Sequence, residues 1–383
     1  MQRSNDRDDA TREDDLRDLL QLVLLPGLGP RTLTELLRVF DSPAEVLRAD
    51  GAKLKSVSGI GDKLVHTIQT SADHVDVDDV LHWCEHHEAH LVVRGDDDYP
   101  ESIDQLDDAP PILFVQGDFR ATDLVSVAIV GTRHATPYGL QQSRRLAIDL
   151  ANAGVTVISG MARGIDTSAH RATLEGGGRT IAFLGGGLGR MYPAENQSLA
   201  DQISASGAVV SEYAPFAKPK SGCFPQRNRL IAAMSAATLV IEAPTRSGAL
   251  ITARLASELG RNVGALPGSV VSRSSRGCHE LIRDGATLVQ HIDDVLELLG
   301  PMATSVSTVA DELDHDVEVR AGRELLLNDI ERRVLAAVDV QGTSIDALTS
   351  ACDLPASRVA AVLSILEVKS HIRRLSGQYV ARV

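Results

Sequence analysis

VSVAIVGTRHATPYGLQQSRRLAIDLANAGVTVISGMARGIDTSAH, residues 125–170, contains two apolar runs, 125–130 and 155–159. Each run is closed by a polar turn containing glycine, and an amphipathic stretch joins them. Short runs rich in Val and Ile read as strands buried on both faces, and the stretch between them reads as a crossover helix. The alternation continues to about Leu299, with further strands expected at 180–184, 208–212, 238–243, 263–267 and 287–290. The predicted fold class is therefore α/β, a Rossmann-like parallel sheet covered by helices on both faces. Upstream, LVV (91–93) and ILFV (112–115) read as two short strands around the acidic, Pro-containing DDDYPESIDQLDDAPP. They lead into the sheet, so the central domain is expected to span 76–300.

Outside this domain the period changes. Residues 1–18 are acidic and polar and read as a disordered arm. Residues 19–75 are helical in pattern and carry two similar breaks, LLPGLGPRTLTELL (24–37) and VSGIGDKLVHTI (57–68). Each break places Gly-hydrophobic-Gly between apolar helical runs. That resembles a tandem helix-hairpin-helix, a SAM-like unit whose backbone amides at a helix N-terminus can hold a phosphate. Asp41, Glu45, Asp50 and Asp62 lie close by and weigh against such contact. Residues 301–322 read as a linker. Residues 323–383 read helix, turn, helix, turn, helix and two strands around Ser376-Gly377, the order of a winged helix. Its third helix offers Arg358 and Lys369, with Asp353 just before it, so structural or protein-contact use is favoured over base reading.

Composition bounds the function. The 383 residues carry a formal charge of -14, and no run of apolar residues is long enough to span a membrane. The charged N-terminus does not read as a secretory signal, and the four cysteines form no CxxC, which together suggest a reducing cytoplasm and no zinc ribbon. An acidic total repels nucleic acid, yet the distribution is uneven. Residues 1–120 hold 12 basic and 26 acidic side chains, residues 121–300 hold 17 and 14, and residues 301–383 hold 9 and 12. The middle segment is thus net +3, and 15 of its 17 basic residues are Arg, whose planar fork suits phosphate.

In a parallel sheet, ligands bind beyond the carboxyl ends of the strands. Four of those ends are loops rich in Gly and polar residues: GTRHATPYG (131–139), SGMARGIDTSAH (159–170), GGGLGRMYPAEN (185–196) and APTRSGALITA (243–253). Their amides, with Arg133, Arg163, Arg190 and Arg246, are expected to form an anion-binding rim. The dinucleotide fingerprint and the P-loop are both missing, so no cofactor is expected. Asp166 and His170, four apart, could form an acid–base pair or metal ligands. The favoured reading is that Asp166 caps a helix beginning near Thr167 while His170 packs against a neighbouring loop, with no metal site. FPQRNRLIAAMS (224–235) sets Arg227, Asn228 and Arg229 just before a helix, where one arginine could instead tie down the preceding loop through carbonyls.

VAIVGTR, SGMARGIDTSAH, GGGLGRMYPAEN, VVSEY, FPQRNRLIAAMS, EAPTRSGALITA and ALPG occur in this order. Together they resemble the DNA-processing protein A family (DprA, also called Smf), strongly over about 85–300. The resemblance implies a non-enzymatic single-stranded DNA-binding protein of natural transformation that protects incoming strands and helps load RecA recombinase. It also implies a homodimer built through the Rossmann-like domain. Carried over by motif, Arg133 contacts DNA phosphate with Gly131, Thr132, Ser159 and Gly160 lining the pocket, and Arg227 and Arg229 add to its positive charge. With Arg163, Arg190, Asn228, Arg246, Ser247 and Gly248, these form the candidate DNA-binding set. Phe224 and Tyr192 are the candidate base contacts, although packing is the favoured reading of each. Two departures stand out: many relatives have lysine after Tyr-Pro where this chain has Ala194 and Glu195, and Thr132 replaces the usual serine. Arg190 could replace the missing lysine. The alternative is a nucleotide-monophosphate hydrolase of the lysine-decarboxylase-like group, whose PGGxGTxxE is matched here only by APTRSGALITA, without the glycine pair or the glutamate.

Overall fold

The computed structural model describes residues 14–71 and 75–300, and shorter pieces between 333 and 382. It divides into two compact units, Met1–Val306 and Ser307–Val383. Residues 14–23 are helical (α1), so helix begins before Leu19; the signal is the stripe Leu16, Leu19, Leu20 and Val23, at helical spacing and turned to the core. Residues 1–13 of the expected arm lie outside the described residues.

Four helices follow: α2 Pro30–Val39, α3 Pro43–Arg48, α4 Gly51–Lys55 and α5 Asp62–Gln69. The two breaks fold alike. Gly27 and Gly59 take φ of +90° and +88°, and Leu28 and Ile60 turn inward, each amide bonded three residues back. Gly29 and Gly61 are then the cap positions from which α2 and α5 start. At the second start Asp62 pairs with Lys55, which places a carboxylate where a phosphate would have to approach.

Helix α6, Val77–His86, leads into β1, Ala89–Val93. The short α7, Glu101–Asp104, precedes β2, Ile112–Gly117. Then come β3 Ser126–Val130, α8 Pro137–Asn152, β4 Thr156–Ser159, α9 Ile165–Glu175, β5 Thr180–Phe183, α10 Gln197–Ser206 and β6 Ala208–Ser211. The unit ends with α11 Cys223–Met234, β7 Ala237–Val240, α12 Gly248–Glu258, β8 Asn262–Ala265, α13 Arg276–Arg283, β9 Thr287–Leu288 and α14 Ile292–Leu299. The sheet order is β1-β2-β6-β5-β4-β3-β7-β8-β9. Strands β3 to β9 pair in parallel, while β2 runs antiparallel to β6 and β1 antiparallel to β2. The central α/β sheet is therefore parallel-dominated rather than wholly parallel, because the two strands around the acidic stretch add a hairpin-like edge.

Residues alternate between the two faces of the sheet. Val130, Ile158, Phe183 and Val240 face α11 and α12, with Leu230, Ile231, Ala249 and Ala253 over them. Val127, Ile129, Val157 and Leu239 face the opposite layer, with Leu146, Ala169 and Leu298. Ile112, Phe114, Ala182 and Val209, beyond the reach of that layer, are covered by the N-terminal helices in one cluster with Leu20, Leu36, Leu54 and Ile68. The helical segment therefore seals part of the sheet.

In the second unit β10 (Thr343–Ser344), α15 (Ile345–Cys352), β11 (Ile372–Arg374) and β12 (Tyr379–Arg382) form a three-stranded sheet in the order β10-β12-β11 beside a helix. Val334, Leu348, Cys352, Val359 and Val380 are among its core residues. This is a winged-helix arrangement. Arg358, Lys369 and the linker lie outside the described residues. No helix among the described residues is long and apolar enough to cross a membrane.

Candidate functional site

The strand order reverses at β3, whose chain-adjacent partner β4 lies on one side and β7 on the other. A crevice opens at the carboxyl ends of strands where such a reversal occurs. Here it is a cleft of about 710 Å³. Gly131, Thr132 and Arg133 line it from the β3 loop, and Arg246, Ser247 and Gly248 from the β7 loop and the start of α12. Phe224, Arg227 and Asn228 line it from α11, and Tyr192 from the β5 loop. Three arginines against one carboxylate, Asp166, make the lining net cationic.

Arg133 is exposed, and its guanidinium carbon lies 4.8 Å from the Phe224 ring centroid. Phe224 in turn packs tilted against Tyr192, with centroids 5.6 Å apart. The ring face supports the cation while its N–H groups stay free to meet an oxyanion in the cleft. Arg227 is the opposite case, only 3% exposed. Its Nη1 donates to the carbonyl oxygens of Gly160 (2.6 Å) and Phe183, tying together the ends of β4 and β5. Any Cβ on residue 160 would sit 2.6 Å from this guanidinium, which is why glycine stands there. Burial pulls the Arg227 guanidinium down to about 10, with Asp166 opposing, so it stays charged at neutral pH.

Burial pushes the Asp166 carboxyl up to about 6 against the opposing pull of Arg227. It lies in the first turn of α9, which starts at Ile165 rather than Thr167, and accepts the Ala162 N–H at 3.3 Å. Residue 166 therefore fastens the preceding loop instead of standing as the helix cap. His170 is fully buried against β5, not a loop. The Thr180 hydroxyl donates to the Val157 carbonyl and so must accept from His170 Nδ1–H at 2.7 Å. Burial, with Arg227, holds that imidazole down at about 3, so it remains neutral.

The remaining candidates fall elsewhere. Ser159 is buried and donates to the Ile129 carbonyl at 2.6 Å, while Gly160 lies behind Arg227; both shape the floor without lining the cleft. The expected single rim of four arginines is corrected: Arg133 and Arg246 line the cleft, whereas Arg163 and Arg190 do not. Arg163 forms a two-pronged pair with Glu195 at 2.5 and 3.1 Å. It lies in an adjoining groove that shares Arg133 and His134 with the cleft and adds Arg144 and Arg171. Arg190 is exposed outside both. Arg227, Asn228 and Arg229 lie inside α11, not before it, because Pro225 fits the first turn of a helix capped at Gly222. Further along the helix, Arg229 points away from the cleft to Glu212 (2.8 Å) and Asp108 (3.0 Å).

Sequence reading also missed Glu242, at the far end of the β7 run. It is buried and accepts from both the Thr136 amide and hydroxyl at 2.8 Å, while its own carbonyl takes the Thr132 amide at 2.7 Å. Those two loop amides, expected to be bare, are therefore engaged. A charged residue closing an apolar buried strand was the available signal.

A family model described as DNA recombination-mediator protein A matches residues 90–300, more than half of the chain. The chain belongs to this family. Two further models match, a DprA winged helix domain at 320–378 and a SAM-like helix-hairpin-helix tandem at 16–73. Protein Smf of Synechocystis is 33% identical over 381 residues, covering 93% of this chain and 96% of its own. The X-ray structure of DNA processing protein A from Streptococcus pneumoniae superposes with a TM-score of 0.62 at 34% identity, covering 73% of this chain and 95% of that one. A structure of DNA processing protein A from Helicobacter pylori, described by its single-stranded DNA binding mode, gives 0.50 at 30% identity, over 59% and 98%.

Proposed function

We propose that this chain is a single-stranded DNA-binding protein of DNA uptake, holding the strand in the cleft at the ends of β3 and β7. The observation that carries the reading is Arg133, an exposed cation on an aromatic face that lines a net cationic cleft. Backbone phosphates meet Arg133, Arg246 and the start of α12, and Phe224 and Tyr192 offer ring faces to bases. The strand continues past Arg133 into the neighbouring groove, where Arg144 and Arg171 stand. Arg227 acts from beneath through its charge and by fixing the floor. Gly131, Thr132, Asn228, Ser247 and Gly248 shape the walls. Ser159, Gly160 and Arg229 support the site from behind, and Arg163 and Arg190 contribute at longer range.

The reading includes no turnover: Asp166 and His170 hold the scaffold and present no activated nucleophile. Strand protection, delivery to RecA recombinase, a homodimer through the Rossmann-like domain and a cytoplasmic location belong to the same proposal, supported by family membership. A titration with single-stranded and duplex oligonucleotides at two salt concentrations tests it. Single strands should bind tighter, and affinity should fall steeply with salt. R133A should weaken single-strand binding and reduce the salt slope by about 1. Equal binding of duplex, or an unchanged titration for R133A, would overturn the cleft assignment.

A further inference from the structure

We propose that the exposed face of α6 is a site for a divalent transition-metal ion, ligated by His82, Glu85 and His86. The segment 76–90 carries five carboxylates and four histidines without a single Lys or Arg, so the local field draws a cation. Helix geometry brings residues 82, 85 and 86 onto one turn, because neighbours three and four apart share a face. One ligand atom from each of the three lies within 4.8 Å of the others. The two imidazoles are already close, with ring centroids 4.1 Å apart.

The orientation of His86 is chosen by the backbone. Its Nδ1 lies 3.1 Å from the His82 carbonyl oxygen, which can only accept, so Nδ1 carries the proton and Nε2 keeps its lone pair. A hydrogen-bonded Nδ1–H of this kind fixes ring orientation and raises the basicity of the liganding nitrogen. The rest of the helix is anchored. Val80 and Cys84 are buried in the core, Trp83 packs edge-on against Phe216, and Asp76 caps the first turn through the Asp79 amide at 2.9 Å. The ligand face is therefore held on a rigid element. Among the described residues Glu85 makes no ion pair, whereas Asp78 is engaged by Arg17.

Two imidazoles and one carboxylate suit zinc, nickel or copper and not the hard oxygen-seeking ions. One helix face supplies three ligands, so the remaining positions stay open to water or to a donor from another molecule. The cluster is exposed and lies on a different element from the DNA cleft, so loading it and binding DNA are separate events.

The test is isothermal titration of the full chain with zinc chloride at pH 7.5, repeated with H82A/H86A and E85Q. One zinc per chain should bind to the wild type. The double variant should lose that site by more than the roughly 10–100-fold that follows loss of an outer-sphere partner, and E85Q should bind more weakly than wild type. Alanine is a good helix former, so the double variant keeps its fold, which circular dichroism checks. Copper bound to the wild type should show nitrogen hyperfine structure that the double variant lacks. Excess magnesium should not compete. Absence of zinc binding to the wild type, or a double variant that titrates like the wild type, would overturn the site.

Discussion

At the residue scale the cleft works by separating two arginines that look alike in sequence from a third. Arg133 keeps its N–H groups outward because an aromatic face, not a carboxylate, supports it. Arg227 is enclosed, so its charge acts through a poorly screened medium and its hydrogen bonds serve the strand ends. Arg229 is neutralised by Glu212 and Asp108. Among the described residues Asp166 is the one carboxylate in the lining, and burial raises its carboxyl to about 6 in the folded protein. A raised pKa means the native chain binds a proton that the unfolded chain has released, so this group adds stability as pH falls below about 6 and withdraws it above. Protonation also removes the negative charge under the cleft. At an effective dielectric constant of about 20 and roughly 10 Å, one opposing charge is worth on the order of 1.5 kcal/mol, about tenfold in affinity. Single-strand affinity should therefore rise as pH drops from 7.5 to 5.5. D166N should bind tighter than wild type at pH 7.5 and show a flatter profile. The difference between the two profiles, not either alone, is the measurement.

At the element scale most of the structure was legible. All seven expected central strands are present within a few residues, and the β7 run simply stops at Val240 while Glu242 lies beyond it. Their alternation with helices follows from apolar runs too short for helices. The two Gly-hydrophobic-Gly breaks were legible for the same kind of local reason, since φ near +90° is open to glycine and costly for other residues. G59A should cost about 1–2 kcal/mol and lower the melting temperature while leaving DNA affinity unchanged. A shared core joins this hairpin to the sheet, so calorimetry should show the whole first unit shifting in one transition. The start of α11 was not legible, because Pro225 reads locally as a break although a helix tolerates proline in its first turn. That error of about two turns decided where Arg229 points.

At the scale of the whole molecule the charge of -14 describes no surface that DNA would meet, since the acidic excess lies in residues 1–120 and the sheet segment is net positive. The described cores divide at 306, while the N-terminal helices share one cluster with β2, β5 and β6. Two truncations should then behave differently. A chain ending at 306 should fold and bind single strands within about twofold of the full protein, well under the 1.4 kcal/mol that marks a tenfold change. A chain beginning at 76 should expose Ile112, Phe114 and Val209 and aggregate, as measured by light scattering. Equal solubility of the two would show that the helical segment is a separate module.

Periodicity, turn residues and motif order sufficed to determine the fold class, the three-part layout and the family, because each is written in neighbours along the chain. The loops that meet at the strand ends were also fixed locally, since a parallel sheet always presents them together. Which arginine faces the cleft, which supports it and which is held by carboxylates was decided only by tertiary packing. Asp108, Glu212 and Arg229 are separated by up to 121 residues and meet in space, as do Thr136 and Glu242. A guanidinium is written the same way in sequence whether it lies in water or in a buried ion pair. Its partner and its solvent exposure, which set what it can bind, exist only once the chain has closed.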